Sequence, residues 1–249
     1  MLPRVLLINL DRSADRRQAS ARVLDDLGLD WHRIAGVDGA ALSEAQRRQL
    51  NPPCGWHEWF RPLTPGEVGC FLGHMRCWQH VVDQGLPWAL VLEDDFAPEP
   101  GVSPAHLEAL AQVPGGWDVI RLSNASAPSA GVPQPQALDL QPGAGRSTNG
   151  TAYWISNAGA RKLLHARATL CRPLDFDLRH HWERDLRMAV TAVRLFRQRS
   201  HEEVASIIGD RAAYRRAPVV QRWGIYARKH LYHLMFFAAE RLHWGRRQV

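Results

Sequence analysis

Short uncharged runs alternate along the chain with longer segments in which apolar residues have a helical spacing. The runs at 4–10 (RVLLINL) and 88–92 (WALVL) have the length of buried strands. Further strand patterns lie at 31–39 (WHRIAGVDG), 117–123 (WDVIRLS), 151–156 (TAYWIS) and 189–196 (AVTAVRLF). Helical patterns lie between Ser13 and Gly28 and at 157–167. This alternation predicts an α/β domain with a mainly parallel sheet flanked by helices.

The segment LTPGEVGCFLGHMRCWQHVVDQGLP (63–87) has the clearest helical pattern. Thr64 is predicted to cap the helix, Pro65 takes its first position, and Glu67 completes a capping box. Gly85 and Pro87 end the pattern. Because WALVL follows directly, the helix is predicted to run antiparallel to that strand, with Glu67 near the strand's carboxyl end.

Two stretches lack a regular pattern. NPPCGWHEWFRP (51–62) contains prolines and tryptophans and is predicted to pass over the surface. Residues 123–150 are rich in Ala, Pro, Ser and Gly. A loop of that length inside a compact domain is a functional lid or a disordered segment.

Charge is distributed unevenly. The 249 residues include 31 Lys or Arg and 25 Asp or Glu. Nine of the basic residues but one acid, Glu240, fall in 211–249, which leaves 22 basic and 24 acidic residues in 1–210. A nearly neutral body argues against a nucleic-acid groove, whereas the tail needs an acidic partner or surface of its own. We expect one main domain at 1–210 and a basic aromatic tail at 211–249.

The N-terminal MLPRVLLINLDR has a short apolar run that ends in charge, which predicts a first strand and not a signal peptide. A cytoplasmic location is therefore expected. The four cysteines, Cys54, Cys70, Cys77 and Cys171, form no CxxC pair, so we expect neither a disulfide nor a zinc cluster. Cys70 and Cys77 fall near one face of the predicted helix, where thiols pack as small apolar groups.

The segment ALVLEDDFAP (89–98) ends a predicted strand in three carboxylates. Ligands of open α/β sheets bind at the carboxyl ends of strands. Alternation along an extended chain predicts that Glu93 and Asp95 face one ligand while Asp94 points away. Two close carboxylates suit Mg²⁺ or Mn²⁺, particularly an ion that also holds a diphosphate. Alternatively, one acid caps the next helix and the others are solvated.

Seven segments, in order along residues 4–208, resemble the successive motifs of glycosyltransferase family 25. They are VLLINLDRSADRR, RIAGVDG, LTPGEVGCFLGHMRCW, ALVLEDDF, GTAYWISNAGARKLL, RPLD and RQRSHEEVASI. This family comprises lipooligosaccharide and lipopolysaccharide galactosyltransferases, and its eukaryotic relatives modify collagen hydroxylysine. The resemblance implies a GT-A type fold, a UDP-sugar donor that is most often UDP-galactose, a divalent metal, and inverting transfer to a sugar hydroxyl.

The resemblance also implies roles for particular residues. Glu93 and Asp95 would hold the metal on the donor diphosphate, and His201 is placed to complete the metal shell. Residues that match the family's motifs around the donor are Asn9, Leu10, Asp11, Arg12, Arg16, Asp38, Glu67, Glu93 and Asp94. The alternative for those after the first strand is ordinary helix-start chemistry, in which Ser13 caps the helix and Asp15 favours its dipole.

Catalytic roles fall to three residues. His74 lies seven residues after Glu67 on one helix face, although it could be a core histidine, and Gly73 stands where the family usually has Ser. Asp175 in RPLDFD matches the family's Pro-x-Asp motif and is the expected general base, with Asp177 next. Glu183 and Asp185 are rivals, and the alternative for Asp175 is a helix cap.

The tail has the pattern of a basic amphipathic helix over 222–247. Its basic side carries Arg222, Arg228, Lys229, Arg246 and Arg247, together with Ile225, Tyr232 and Phe236. Its apolar side carries Trp223, Tyr226, Leu231, Leu234, Phe237 and Trp244, together with Arg241. The uncharged run LYHLMFFAA is too short to cross a bilayer. We expect a helix that lies on an anionic membrane, or one that packs its aromatics on the body.

Together these features predict a cytoplasmic enzyme, peripheral on the inner membrane face. It would move galactose or a related hexose from a UDP-sugar to a saccharide acceptor of lipopolysaccharide or lipooligosaccharide, with Mn²⁺ or Mg²⁺ as cofactor. No nucleic-acid partner is expected. Two other classes stay open: an inactive basic scaffold protein, and a metal-dependent phosphoesterase that would act on simple esters without UDP.

Overall fold

The computed structural model describes residues 4–55, 58–113, 116–123, 131–144, 149–165, 169–199 and 218–246, with side chains of the last range up to His243. The strands are β1 (Arg4–Asn9), β2 (Trp31–Ala35), β3 (Trp88–Glu93), β4 (Phe96–Pro98), β5 (Val119–Arg121), β6 (Leu140–Pro142), β7 (Ala152–Ser156), β8 (Met188–Thr191) and β9 (Phe196–Gln198). The α-helices are α1 (Ala14–Asp26), α2 (Glu44–Leu50), α3 (Pro65–Asp83), α4 (Pro104–Ala111), α5 (Asn157–His165), α6 (Leu174–Arg179) and α7 (Val219–Arg246).

The centre of the fold is a seven-stranded sheet in the order β2-β1-β3-β7-β5-β8-β6. β1 pairs in parallel with β2 and β3, and β5 pairs in parallel with β8. β7 lies antiparallel between β3 and β5, and β6 lies antiparallel beside β8. Five strands therefore share one direction, which confirms the predicted α/β class with a mainly parallel sheet.

Helices cover both faces of the sheet, which is why β3 is apolar without interruption from Trp88 to Leu92. Val91 of β3 points into one core with Trp78 of α3. The next residue, Leu92, points into the opposite core with Leu24 of α1 and Leu107 of α4. Because each face of β3 meets a helix layer, the strand carries no polar alternation.

The predicted helix at 63–87 is α3, and its capping box is confirmed. The Thr64 hydroxyl accepts a hydrogen bond from the Glu67 N–H at 3.2 Å, and the Glu67 carboxylate accepts one from the Thr64 N–H at 2.8 Å. Gly85, just beyond the helix, has a left-handed φ of 59°. Ser13 precedes α1 as predicted, but its side chain makes no capping hydrogen bond.

The apolar run at 189–196, predicted as one strand, forms parts of two. β8 ends at Thr191, and β9 leaves the central sheet to pair with β4. Leu195 and Phe196 are fully buried in the same core as α4. Burial keeps the run apolar through the bend, so its pattern resembles that of one continuous strand.

The segment at 51–62 was predicted to be a surface excursion, which is wrong for its second half. Trp59 and Phe60 are only 4% and 5% exposed and belong to the core on the α3 side. Cys54 and Cys171 form a disulfide, so the expectation of no disulfide is also wrong. The two cysteines are 117 residues apart, and a bond across that separation leaves no local spacing to recognise. Cys70 and Cys77 are not disulfide-bonded, as expected.

Helix α7 buries one face and exposes the other. Tyr232 packs edge-on against Trp59, and Phe236 packs against His180 and Trp182. The exposed face, which we call the outer stripe, carries Val219, Val220, Trp223, Leu231, Leu234, Phe237 and Leu242. The described helices include none long and apolar enough to span a membrane. Aromatics of the predicted basic side therefore pack on the body, and most of the predicted apolar side faces outward.

Candidate functional site

An open pocket lies where β1 and β3 reach their carboxyl ends. It contains about 770 Å³ of space, part of it open to solvent. The loop after β2 and the first turns of α3 form its other walls. Predicted site residues that line the pocket are Asn9, Leu10, Arg12, Arg16, Asp38, His74, Glu93, Asp94 and Asp95. Predicted residues that are up to about 85 positions apart in the sequence therefore meet in one pocket.

All three residues of the acidic triplet line this pocket. Arg16 forms an ion pair with Asp94 and lies 3.3 Å from an Asp95 oxygen. Asn9 donates a hydrogen bond to Asp94 at 2.7 Å. The prediction that Asp94 points away is wrong, because the strand ends at Glu93 and strand alternation stops there.

The electrostatics of Asp95 fit a bound cation. Burial, followed by the charge of Glu93, raises the pKa of Asp95 to about 6, against the hydrogen bond from Gln198 and the charge of Arg16. Burial also raises the pKa of Asp94. In the described part of the chain, Asp95 Oδ1 is buried without any hydrogen-bond partner. A divalent metal would offset the repulsion between the Glu93 and Asp95 carboxylates and would give Asp95 Oδ1 a partner. Glu93 and Asp95 therefore fit such an ion.

Two glycines let the loop after β2 touch α3 directly. A Cβ on Gly39 would lie 1.7 Å from the Pro65 carbonyl oxygen, and a Cβ on Gly69 would lie 2.3 Å from the Val37 carbonyl oxygen. Backbone can approach backbone this closely only without side chains. The contact joins these two walls of the pocket, and its signal in the sequence is the pair of glycines within the resembling motifs.

Four predicted donor residues have charged partners within the protein. Arg12 and Asp38 pair with each other at the pocket mouth. Asp11 is outside the pocket lining and pairs with Arg33, whose hydrogen bond and charge lower the pKa of the Asp11 carboxyl. Glu67 is also outside the lining, and its carboxylate accepts two hydrogen bonds of 2.8 Å from the Arg61 guanidinium. The structure gives Asp11 and Glu67 structural partners and does not bring them to the pocket.

His74 belongs to a buried row of polar side chains that ends at the pocket. Its Nε2 lies 3.1 Å from Glu93 Oε1, and its Nδ1 lies 2.8 Å from the Tyr153 hydroxyl. Tyr153 in turn lies 2.9 Å from Trp78 Nε1. A Cβ on Gly73 would lie 3.1 Å from an Ile8 methyl carbon, so the serine usual in the family would press on β1 here.

A possible metal cluster of another kind also includes His74. The ligand atoms of Cys70, His74 and Glu93 lie within 4.8 Å of one another. Cys70 Sγ is 3.8 Å from Glu93 Oε1. No CxxC-type spacing in the sequence predicts this grouping, because its members come from α3 and β3. Glu93 is thus shared between the acidic triplet and the α3 wall.

The carboxylates of Asp175 and Glu93 both lie close to Gly150. The position of a Cβ on Gly150 is 2.9 Å from Asp175 Oδ1 and 3.6 Å from Glu93 Oε1, so the two oxygens are separated by no more than the sum of these distances. The fully buried Arg121 interacts electrostatically with Asp175. Burial lowers the pKa of Arg121 to about 10, and Asp175 opposes that effect. The Asp175 carboxylate therefore interacts with the Arg121 cation and lies close to Glu93 of the acidic triplet.

Asp177 is in a different environment. It is 2% exposed and accepts a 3.0 Å hydrogen bond from Arg172, while Arg184 pairs with its other oxygen. Glu183 also pairs with Arg172. His201 lies outside the described residues.

Sequence reasoning missed four neighbours of the site: Gln198, Cys70, Tyr153 and Arg121. Arg121 donates to the carbonyl oxygens of Ala144 and Asn149, at 3.2 and 2.6 Å. Its signal was a charged residue inside an otherwise apolar strand pattern. Gln198, which donates to Asp95 at 2.8 Å, gave no signal because only tertiary structure brings β9 beside the triplet.

Comparison with known proteins agrees with the resemblance. Residues 2–101 match the family model described as glycosyltransferase family 25 (LPS biosynthesis protein). A glycosyltransferase 25 family member from Aedes aegypti is 33% identical over 169 residues, which cover 66% of this chain and 28% of that protein. Procollagen galactosyltransferase 1 of Danio rerio is 35% identical over 173 residues, or 65% and 28%. A probable inactive glycosyltransferase 25 family member 3 from Bos taurus is 32% identical over 204 residues, or 73% and 34%.

The chain spans about a third or less of the length of these relatives. Among solved structures, a glycosyltransferase involved in glycosylation of the PBCV-1 major capsid aligns with a TM-score of 0.44 and 10% identity, over 85% of this chain and 97% of that one. A Drosophila β-1,4-galactosyltransferase 7 mutant in complex with manganese, UDP-Gal and xylobiose gives 0.42 and 8%, over 82% and 74%. These two scores are too low to carry an argument. On the family match and the identities of the relatives, the chain belongs to glycosyltransferase family 25.

Proposed function

We propose that the protein is a glycosyltransferase that moves a hexose, galactose by our assignment, from a UDP-sugar to a saccharide acceptor. The observation that carries the proposal is the acidic pocket at the carboxyl ends of β1 and β3, in which Asp95 has a buried oxygen without a partner among the described residues. A relative at 35% identity is named procollagen galactosyltransferase 1, which supports galactose. The family description names LPS biosynthesis, which supports an acceptor in lipopolysaccharide or lipooligosaccharide.

Glu93 and Asp95 would hold Mn²⁺ or Mg²⁺. A bound divalent ion supplies electrostatic stabilisation of the charge that grows on the leaving UDP diphosphate. Arg16 would add positive charge on the same side, since it already contacts both Asp94 and Asp95. Asn9 holds Asp94 in place, and Asp38 with Arg12 marks the pocket mouth where the nucleotide would enter.

Asp175 would act as the general base. In an inverting transfer, the acceptor hydroxyl gives its proton to a carboxylate as its oxygen bonds to the anomeric carbon and the bond to UDP breaks. Asp175 fits because it lies near Glu93 and interacts electrostatically with the buried Arg121. Asp177 fits less well, because two arginines already bind its carboxylate.

The division of labour is tested with purified full chain and UDP titrated calorimetrically with and without Mn²⁺. Asp95→Asn should abolish metal-dependent UDP binding and turnover. Asp175→Asn should lower turnover by roughly 100-fold or more while UDP binding changes little. Asp83→Asn, at the exposed far end of α3, is the matched control and should leave both unchanged.

Release of UDP from UDP-galactose, UDP-glucose and UDP-N-acetylhexosamines, with Mn²⁺ or a chelator, tests the donor. Chelator-sensitive release from one donor would support the transferase and name the sugar. Absence of metal-dependent UDP binding would refute the transferase function and favour an inactive scaffold protein. One relative of the chain is named as a probable inactive family member. Phosphate release from simple esters without UDP would instead support a phosphoesterase.

We also propose that α7 rests on the inner face of the cell membrane, close to a lipid-linked acceptor. The outer stripe supports this, since Trp223 and Leu234 are 71% and 68% exposed, and Arg228 and Arg241 lie on the exposed side. Such a helix binds by apolar burial plus attraction to anionic headgroups. The full chain should float with vesicles that contain phosphatidylserine and not with purely zwitterionic vesicles. Equal flotation with both, or none, would refute the proposal.

The Cys54–Cys171 disulfide bears against a cytoplasmic location, because such bonds persist mainly in oxidising compartments. Alkylation of thiols in intact cells, followed by mass spectrometry, distinguishes the cases. Reduced Cys54 and Cys171 in the cell agree with the cytoplasm, whereas an oxidised pair places the protein elsewhere.

A further inference from the structure

Four side chains from three elements form a continuous hydrogen-bonded row behind the pocket. Trp78 and His74 lie one helical turn apart on α3, Tyr153 comes from β7, and Glu93 ends β3. The successive separations are 2.9 Å, 2.8 Å and 3.1 Å. Trp78, Tyr153 and His74 are at most 1% exposed, so water does not compete for these contacts.

The donors and acceptors of Trp78 and Tyr153 together set the direction of the bonds in the row. An indole N–H can only donate, so the Tyr153 oxygen accepts from Trp78. In the described part of the chain, the Tyr153 hydroxyl contacts no other acceptor, so its hydrogen is directed to His74 Nδ1, which accepts. A neutral imidazole that accepts at Nδ1 carries its hydrogen on Nε2, and that hydrogen points at Glu93 Oε1.

We propose that Tyr153 is a positioning residue that holds His74 in the Nε2–H tautomer, so that His74 donates to Glu93 and fixes the orientation of this carboxylate, while Trp78 donates to the Tyr153 oxygen from behind. The inference rests on the proposed function for the purpose of that orientation. In this arrangement Nε2 has no lone pair. His74 therefore neither takes a proton from an acceptor nor binds a metal at Nε2.

The same directionality bears on the Cys70–His74–Glu93 grouping. A metal on Nε2 would require the hydrogen of His74 on Nδ1, where it would face the Tyr153 oxygen. That oxygen already receives the Trp78 hydrogen, and Tyr153 would need a new acceptor for its own. The row is satisfied in one direction without an ion, which favours a carboxylate-orienting role for His74.

The tautomer can be observed without substrate or metal. Two-bond ¹H–¹⁵N correlation spectra of full-length protein labelled at histidine report which ring nitrogen carries hydrogen, and His74→Gln identifies the His74 signals by their loss. We expect a hydrogen on Nε2 and none on Nδ1 in the unchanged protein. Tyr153→Phe should give a tautomer mixture, whereas Trp78→Phe, which keeps the Tyr153 donor, should leave the Nε2–H form dominant. Nδ1–H or a doubly protonated ring in the unchanged protein would overturn the proposal.

A second measurement follows the carboxylate. Mn²⁺ binding in the presence of UDP, read from the electron paramagnetic resonance signal of free Mn²⁺, should weaken roughly 10- to 100-fold in Tyr153→Phe. His74→Gln, whose amide can still donate to Glu93, should retain more affinity than His74→Leu. Trp78→Phe should lose stability with less than about threefold loss of affinity. Equal affinity losses in Tyr153→Phe and Trp78→Phe would indicate a merely structural role and refute the positioning.

The two proposals fail in different ways. If the unchanged protein has the expected tautomer but binds no Mn²⁺ with UDP, the hydrogen-bond assignment stands and the transferase function falls. If Mn²⁺ and UDP bind but the tautomer is Nδ1–H, the function stands and the positioning role falls.

Discussion

Two adjacent phenylalanines on α7 offer a direct test of its two-sided character. Phe236 is 4% exposed, with its ring centroid 4.8 Å from that of His180 and 4.4 Å from the Arg179 guanidinium carbon. Phe237, the next residue, is 52% exposed on the outer stripe. Because neighbours in a helix differ by about 100°, one substitution probes the docked face and the other the free face.

The two substitutions should affect different properties, protein stability for Phe236 and membrane binding for Phe237. Phe236→Ala removes a buried ring and should lower stability by about 3–5 kcal/mol, first as opening of α7. Phe237→Ala should change stability by no more than about 0.5 kcal/mol. Transfer of the exposed half of the Phe237 ring into a bilayer is worth about 1 kcal/mol, which corresponds to a roughly fivefold loss in vesicle partition.

Hydrogen exchange of α7 amides, denaturant unfolding and flotation with phosphatidylserine vesicles measure these effects. We expect faster hydrogen exchange of the α7 amides in Phe236→Ala, in which the outer stripe is unchanged. In Phe237→Ala we expect normal exchange of these amides but weaker flotation with the vesicles. Equal stability losses in both variants would refute the docked orientation of α7. Unchanged flotation of Phe237→Ala would refute the membrane role of the outer stripe.

Three further predictions concern stability. Gly39→Ala should lower the free energy of unfolding by roughly 1–3 kcal/mol and weaken UDP binding, because the new Cβ would lie 1.7 Å from the Pro65 carbonyl oxygen. Gly224→Ala is the control: its Cβ would meet open space, so denaturant unfolding should show a more stable protein. Burial, then the charge of Arg172, lowers the pKa of His180 from 6.5 to about 4, so the unfolded chain binds the extra proton. Roughly 3 kcal/mol of stability present above pH 6.5 should be lost as the pH falls to about 4, and His180→Phe should flatten that loss. Reduction of Cys54–Cys171 should cost roughly 2–5 kcal/mol in unfolding with and without dithiothreitol, and the Cys54→Ser, Cys171→Ser double variant should show no such response.

Local rules account for much of the fold. The capping box of α3 depends on Thr64 and Glu67, three residues apart, and both hydrogen bonds form as predicted. The uninterrupted apolar run of β3 indicated a buried strand, and its position directly after α3 indicated that the start of the helix would lie near the strand's carboxyl end, where Gly66 and Gly69 do line the pocket with Glu93. Such inferences succeed because the interacting groups are neighbours in the chain.

Candidate residues were predictable in kind but not in partnership. The sequence indicated acids at a strand end, and the acidic triplet does line a pocket there. The sequence could not indicate that Glu67 pairs with Arg61 or that Asp177 pairs with arginines. The residues next to a carboxylate in the chain are the same whether its side chain binds a ligand or a guanidinium. Only the arrangement of surrounding elements decides which acids remain for chemistry.

Contacts between distant segments were decided by the tertiary structure alone. Tyr153 meets His74 across 79 residues, and Cys54 meets Cys171 across 117. Both faces of α7 contain aromatic residues, so periodicity could not tell which face would dock. The sequence by itself determined the elements and the chemical inventory, since these depend on residues a few positions apart. The fold determined which members of that inventory meet, because long-range packing selects partners that no local spacing encodes.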